Sequence, residues 1–338
     1  MITSDTGKAV IAGNERVLRA RLSDGRFFWD QDRKKSLGDW AKGLSGVTFH
    51  AKIGTIAEKV ERIKTLAAQL CEYVKGADKK PVERAAALCK ADLMTGMVGE
   101  FPELQGVMGR YYALHQKEDA AVADAIRDHY LPLGPDSSVP DKPVSICVAL
   151  ADKLDTLISM FAVGEKPTGS KDPFALRRAA LGIIRIILEN NLRLPLKKLV
   201  NDELFAFFTD RLKVMLREQG IRHDVIDGIM ANGDDDLARV VASAKVLQGF
   251  LETEDGVNLL AGYKRAANII AIEEKKDKQK YQAGELKIGI LKEKPETDLA
   301  RILEEKSPLI EKLRNEEKFT EAMKLLADLR APIDHFFD

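Results

Sequence analysis

Arg177, Arg178 and Arg185 lie in the run DPFALRRAALGIIRIILENN, where most other side chains are apolar. At helical spacing Arg178 and Arg185 share a face, with Arg177 beside them. A guanidinium on so apolar a helix must reach water, a carboxylate or a phosphate. Asp92, Asp152 and Asp155 are the carboxylates on offer for a buried ion pair. RNA phosphate is the functional alternative. A second phosphate signal precedes this run. GEKPTGSK, 164–171, approaches the phosphate-loop pattern GxxxxGK followed by Ser or Thr. Here Ser170 separates Gly169 from Lys171, and the segment follows a helix rather than a strand, so it reads as a connecting loop.

Other chemistry is sparse. The histidines His50, His115, His129, His223 and His335 form no HxH or HxxxH pair, and no Ser/His/Asp or Cys/His arrangement can be argued from spacing. Cys71, Cys89 and Cys147 are odd in number and far apart. They fit neither a disulfide framework nor a CxxC metal site, and reduced thiols are expected. No active site emerges.

The elements that must position these residues read as helices. CKADLMTGMVGEFPELQGVMGRYYALH, 89–115, is the densest stretch. Leu93, Met94, Met97, Val98 and Phe101 recur at helical steps, with Asp92, Glu100 and Glu103 set among them. Gly96 and Gly99 inside that pattern imply close backbone approach, and Pro102 marks a break. Upstream, Lys8–Ala12 reads as a short strand without a partner, and Asn14 as the cap of a helix carrying Val17, Leu18, Leu22 and Phe27. Helical spacing holds from Lys52 to Val74, with His50 just before it, and over Val144–Phe161, which includes Asp152 and Asp155. Pro81 opens a helix that runs on into Cys89. Asp172-Pro173 reads as a helix start, Asp as cap and Pro in the first turn. From Asp202 onward the pattern is helical to the end, with a charged, exposed connection at 273–296. No convincing strand alternation follows residue 13, so the expected fold is all-α.

A length of 338 residues allows two or three domains with real cores. Hydrophobic residues make up 45% and charged residues 31%, an ordinary globular balance. Lys plus Arg equals Asp plus Glu at 53 each, so any footprint for nucleic acid must be a local patch. No run is apolar enough to span a bilayer and the N-terminus shows no signal pattern, from which a cytoplasmic location follows.

Three strings carry a resemblance: GNERVLRARLSDGRFF from Gly13, KADLMTGMVGEFPELQGVMGRYYA from Lys90, and DPFALRRAALGIIRII from Asp172. With ADKLDT from Ala151, YKRAANII from Tyr263 and the closing LRAPIDHFFD, they closely resemble the β subunit of bacterial heterotetrameric glycyl-tRNA synthetase. The resemblance implies a C-terminal portion of such a subunit. Residues 1–13 would be the edge of a missing N-terminal region, 14–198 an HD-like helical domain, and 199–338 a helical region akin to DALR-type anticodon-binding domains, trimmed at its end. Active HD phosphohydrolases bind metal through a His, a His-Asp pair and a later Asp. His50, Asp92 and Asp152 could fill three of those places, but Ala91 stands where the paired His belongs. The resemblance therefore implies a degenerate site without metal, with Asp92 and Asp152 paired to arginines. An active metal-dependent phosphohydrolase and a scaffold that docks the α subunit are the alternatives. In the family the α subunit uses ATP, Mg and glycine within an α2β2 heterotetramer, while the β subunit is needed for aminoacylation and supplies most binding of tRNA(Gly). This portion alone is expected to be inactive. Its expected RNA contacts are Arg177, Arg178 and Arg185, and, from the family's basic string, Lys264, Arg265 and Asn268.

Overall fold

The computed structural model describes residues 7–281 and 291–337. Among the described residues helices dominate, and the fold is all-α apart from one small hairpin. The chain separates into two compact units, Met1–Leu212 and Lys213–Asp338. Among the described residues no helix is long and apolar enough to cross a membrane.

The first unit opens with α1 (Lys8–Asp32) and α2 (Leu37–Ala41), followed by the hairpin β1 (Thr48–His50) and β2 (Gly54–Thr55). Then come α3 (Ile56–Leu70), α4 (Lys79–Leu88), α5 (Gly96–Glu100), α6 (Val107–His115), α7 (Ala120–Asp128), α8 (Pro143–Ala162) and α9 (Leu176–Glu189). The next helix, α10 (Asp202–Glu218), contains the division between the units. The centre is α8, which is apolar on nearly all sides and buried along most of its length. Around it pack α3, α4, α7 and α9. Helix α3 starts cleanly because Thr55 and Glu58 form a capping box, and it turns Val60, Ile63, Ala67 and Leu70 inward.

Four expectations are corrected here. Lys8–Ala12 is not a strand: α1 is continuous from Lys8, so Asn14 lies inside it. A short apolar run with no pairing partner is indistinguishable from a helix turn by sequence, and Val10 and Ile11 continue the spacing of Val17 and Leu18. Residues 1–6 of the expected leader lie outside the described residues. The hairpin at Thr48–Thr55 is a strand pair the sequence reading lacked, too short to show alternation. The pattern over Leu93–Phe101 is not one helix but a 3-10 turn, Ala91–Met94, followed by α5, and a second 3-10 turn, Pro102–Leu104, starts at the expected break. Thr95 is extended and caps α5, and the buried Asp32 carboxylate takes the amides of Gly96 and Met97 at 2.9 Å each. These side chains satisfy amides that a continuous helix would have bonded internally. Finally, α9 begins at Leu176 rather than at Pro173. Asp172 still caps it, its two oxygens accepting from the amides of Leu176 and Arg177 at 2.8 and 3.0 Å, while Ala175 takes a left-handed conformation at φ 53°.

The second unit contains α11 (His223–Met230), α12 (Leu237–Leu251), α13 (Glu254–Asp277), α14 (Lys294–Asn315), α15 (Phe319–Ala327) and α16 (Arg330–Phe337). Its buried side chains include Val225, Ile226, Val240, Ala244, Phe319 and Ala322. The expected connection at 273–296 is entered by α13 and left by α14, and 282–290 lies outside the described residues.

Candidate functional site

Beside Asp152 in the first unit lies a buried charge cluster. Asp152 and Asp155 are one helical turn apart on α8. Lys59 stands on the otherwise apolar face of α3, and Lys90 follows the end of α4. Lys90 Nζ donates to Asp152 Oδ2 at 3.0 Å. Lys59 Nζ sits 3.0 Å from Asp152 Oδ1 and donates to Asp155 Oδ2 at 3.0 Å and to Thr156 Oγ1 at 2.8 Å. The Oδ1 contact is ionic, without hydrogen-bond alignment. Arg62 Nε donates to Asp155 Oδ1 at 2.5 Å. Burial alone would raise the Asp152 carboxyl, but the Lys59 and Lys90 ammoniums outweigh it and hold the group well below the usual carboxylate range. Two buried carboxylates thus meet three cations.

The neighbours are also engaged. Lys153 donates to the carbonyls of His129 and Tyr130 at 3.3 and 3.2 Å, and burial pushes its ammonium down to about 8. His129 is fully buried with Nδ1 2.7 Å from the Ile126 carbonyl, so Nδ1 carries the proton, and burial keeps the ring neutral. Asp92 accepts through Oδ2 from the amides of Gly106 and Gly109 at 2.6 and 3.0 Å. Its burial pushes it up to about 6 despite those bonds. Gly106 has φ 79°, and a Cβ at Gly109 would lie 2.6 Å from Ile126 Cγ2 and 2.9 Å from Asp92 Oδ2. Both glycines of the GVMG string are therefore required by the seat of Asp92.

Asp152 is paired to lysines and Asp92 to backbone amides, rather than to arginines as the sequence led us to expect. The first alternative for Arg177, Arg178 and Arg185, an ion pair with Asp92, Asp152 or Asp155, is not what forms. His50 packs edge-on against Phe174 at 5.6 Å. Among the described residues no three His, Cys, Asp or Glu side chains come together as a metal-holding group. Lys59 and Lys90 were missed from the sequence. Lys59 had a readable signal, because it interrupts the apolar face Ile56–Val60–Ile63. Lys90 had none.

The arginines of α9 differ among themselves. Arg185 donates to Glu189 Oε1 at 2.8 Å and to the carbonyls of Gly134, Pro135 and Ser137 at 3.1, 2.8 and 2.9 Å, pinning the loop before α8. Arg177 donates to the Gly169 carbonyl at 2.7 Å, within the GEKPTGSK loop. Arg178 is exposed. In the second unit Lys264, Arg265 and Asn268 are exposed on α13 beside Tyr263 and Ile270, which are 67% and 51% exposed. Arg265 donates to the Phe337 carbonyl at 3.0 Å and lies over its ring, joining α13 to α16.

Fold and site together define a predominantly helical protein in which buried Asp152 and Asp155 are paired with lysines and an arginine. The comparisons give its family. The profile described as "Glycyl-tRNA synthetase beta subunit" matches residues 1–231, and the chain belongs to that family. It is 54% identical over 336 residues to the glycine–tRNA ligase beta subunit of Phenylobacterium zucineum, covering 99% of this chain and 50% of that protein. It is 51% identical over 355 residues to that of Rhodospirillum centenum and 50% over 349 residues to that of Paracoccus denitrificans, again 99% of this chain and 50% of each. The chain thus spans about half the length of the curated relatives it matches.

Proposed function

We propose that this chain is a non-catalytic, tRNA-holding part of a two-subunit glycine–tRNA ligase. A partner α subunit carries the chemistry with ATP, Mg and glycine, in an α2β2 assembly in the cytoplasm. The first unit corresponds to the HD-like part and the second to the anticodon-binding part. Family membership supports the ligase assignment. The observation that carries the non-catalytic reading is the pairing of Asp152 with Lys59 and Lys90. Two ammoniums occupy the charge that a divalent cation would neutralise, so the donor set does not fit a metal-dependent phosphohydrolase. RNA contact falls to outward cations and an amide. Arg178, Lys264 and Asn268 are exposed, and Arg177 keeps free donors. Arg185 commits Nε and both terminal nitrogens to Glu189 and loop carbonyls, so it acts by positioning that loop.

The test is glycine attachment to tRNA by the full-length β chain alone, the α chain alone and the two mixed. Transfer by the mixture only is expected. Transfer by the β chain alone would overturn the non-catalytic reading.

A further inference from the structure

Helix α1 carries an apolar stripe that starts inside the fold and runs out of it. Near the C-terminal end of the helix the stripe is packed. Phe28 closes on Gly96, where a Cβ would lie 2.5 Å from its ring. Trp29 stacks on Tyr112 with ring centroids 5.3 Å apart, and the Asp32 carboxylate takes the Gly96 and Met97 amides. Towards the N-terminus the same face continues at helical spacing through Leu22, Leu18, Val17, Ile11 and Val10. These five are 74%, 61%, 61%, 57% and 53% exposed. Every residue from Lys8 to Asp24 is exposed, a length of roughly 25 Å. The opposite face is polar, with Arg16, Arg19, Ser23 and Asp30. A helical run of this length gains little from propensity alone, and its order comes from an apolar face that packs. We infer that, in the full-length β chain, this stripe is covered by the part of the polypeptide outside these 338 residues, through an apolar segment with acids along one edge.

Three observations choose that occupant. The stripe is continuous with a face that already packs within the chain, on α5 and α6, so the β chain itself sets its direction. The relatives contain about as much polypeptide again as the part matched here, which leaves ample chain to supply a cover. One edge of the stripe carries Lys8, Glu15, Arg19 and Arg26, three cations to one acid. A second copy of α1 laid antiparallel would bring that edge against itself and be repelled, whereas a segment with acids there is drawn in. Cover of the stripe is independent of RNA binding, so failure of one leaves the other standing.

The experiment uses the full-length β chain, alone and with its α subunit, carrying the photo-cross-linker p-benzoylphenylalanine in place of Leu22. Light should join position 22 to a peptide of the same chain outside the 338 residues, with or without the α subunit and at every dilution. Hydrogen exchange gives a second reading on the unlabelled protein. Amides of 10–22 should exchange about tenfold slower in wild type than in Leu18→Asp with Leu22→Asp. Trypsin should cut that variant faster at Arg16, Arg19 and Arg21. Both leucines are exposed here, so the variant leaves the first unit's own core intact. A cross-link to the α subunit would overturn the inference and make the stripe a subunit interface. A cross-link between two β chains, rising with concentration, would overturn it in favour of a dimer. No cross-link, with wild-type exchange as fast as the variant's, would mean that the stripe stands uncovered.

Discussion

Lys90 and Asp152 meet inside the first unit at 3.0 Å, with the Tyr130 ring centroid 4.0 Å from the same ammonium. The pair is nearly sealed from water, the lysine and aspartate being 5% and 8% exposed. With Lys59 and Asp155 it forms a buried group in which two lysines balance two carboxylates. Removing one member of such a pair strands the other's charge, which generally costs more than the pair ever contributed.

Lys90→Met should therefore destabilise the first unit by about 3–5 kcal/mol. Asp152→Asn added to the same chain should cost less than Asp152→Asn alone, because the Lys90–Asp152 pair is already broken. Urea unfolding of the variants checks this. A loss under about 1 kcal/mol for Lys90→Met would mean that water reaches the site.

Asp92 sets a pH dependence of unusual sign. Its folded carboxyl is raised to about 6, above the unfolded 3.8, so between those values the folded chain binds the extra proton. The cost of burying the carboxylate is full above pH 6 and fades as pH falls towards 4. Wild type should gain on Asp92→Asn by roughly 1.4 kcal/mol for each unit of separation as pH falls through that window. Unfolding of both proteins from pH 7 to 4.5 reads the difference. A constant difference would mean that Asp92 titrates normally.

Asp32 ties α1 to α5, taking two amides at 2.9 Å and the Tyr112 hydroxyl at 2.8 Å. Asp32→Ala leaves these buried donors unsatisfied and should cost about 3 kcal/mol. Limited proteolysis should then cut faster between 95 and 106. Unchanged cutting there would show that α5 is held by its apolar contacts alone.

Glycine 109 admits no side chain. Gly109→Ala should cost about 1–3 kcal/mol by pushing Ile126 or Asp92 aside. Thermal unfolding measures it, and a neutral result would mean that α6 shifts freely.

What the sequence revealed depended on how local the cause was. Helix α8 was readable because apolar residues fill all its faces, and α9 because its apolar pattern is long. The break at Pro102 was readable from its proline, whereas the interruption at Thr95 was not, because it depends on Asp32 reaching the amides of Gly96 and Met97 far along the chain. The hairpin at Thr48–Thr55 is too short to show a period. The arginines of α9 were recognised as needing partners, but carbonyls of the loop before α8 cannot be chosen from spacing. The charge cluster was half legible. Asp152 and Asp155 stood out in an apolar helix, whereas Lys90 declares its role only once α4 and α8 are packed together.

The tRNA-holding role is tested most directly by binding of the full-length protein to tRNA(Gly) and to a non-cognate tRNA across a salt series, alongside Arg178→Glu with Lys264→Glu. Binding should weaken steeply with salt, favour tRNA(Gly), and fall about tenfold in the double reversal with unfolding unchanged. Binding that ignores both salt and the reversal, or no binding at low salt, would contradict it.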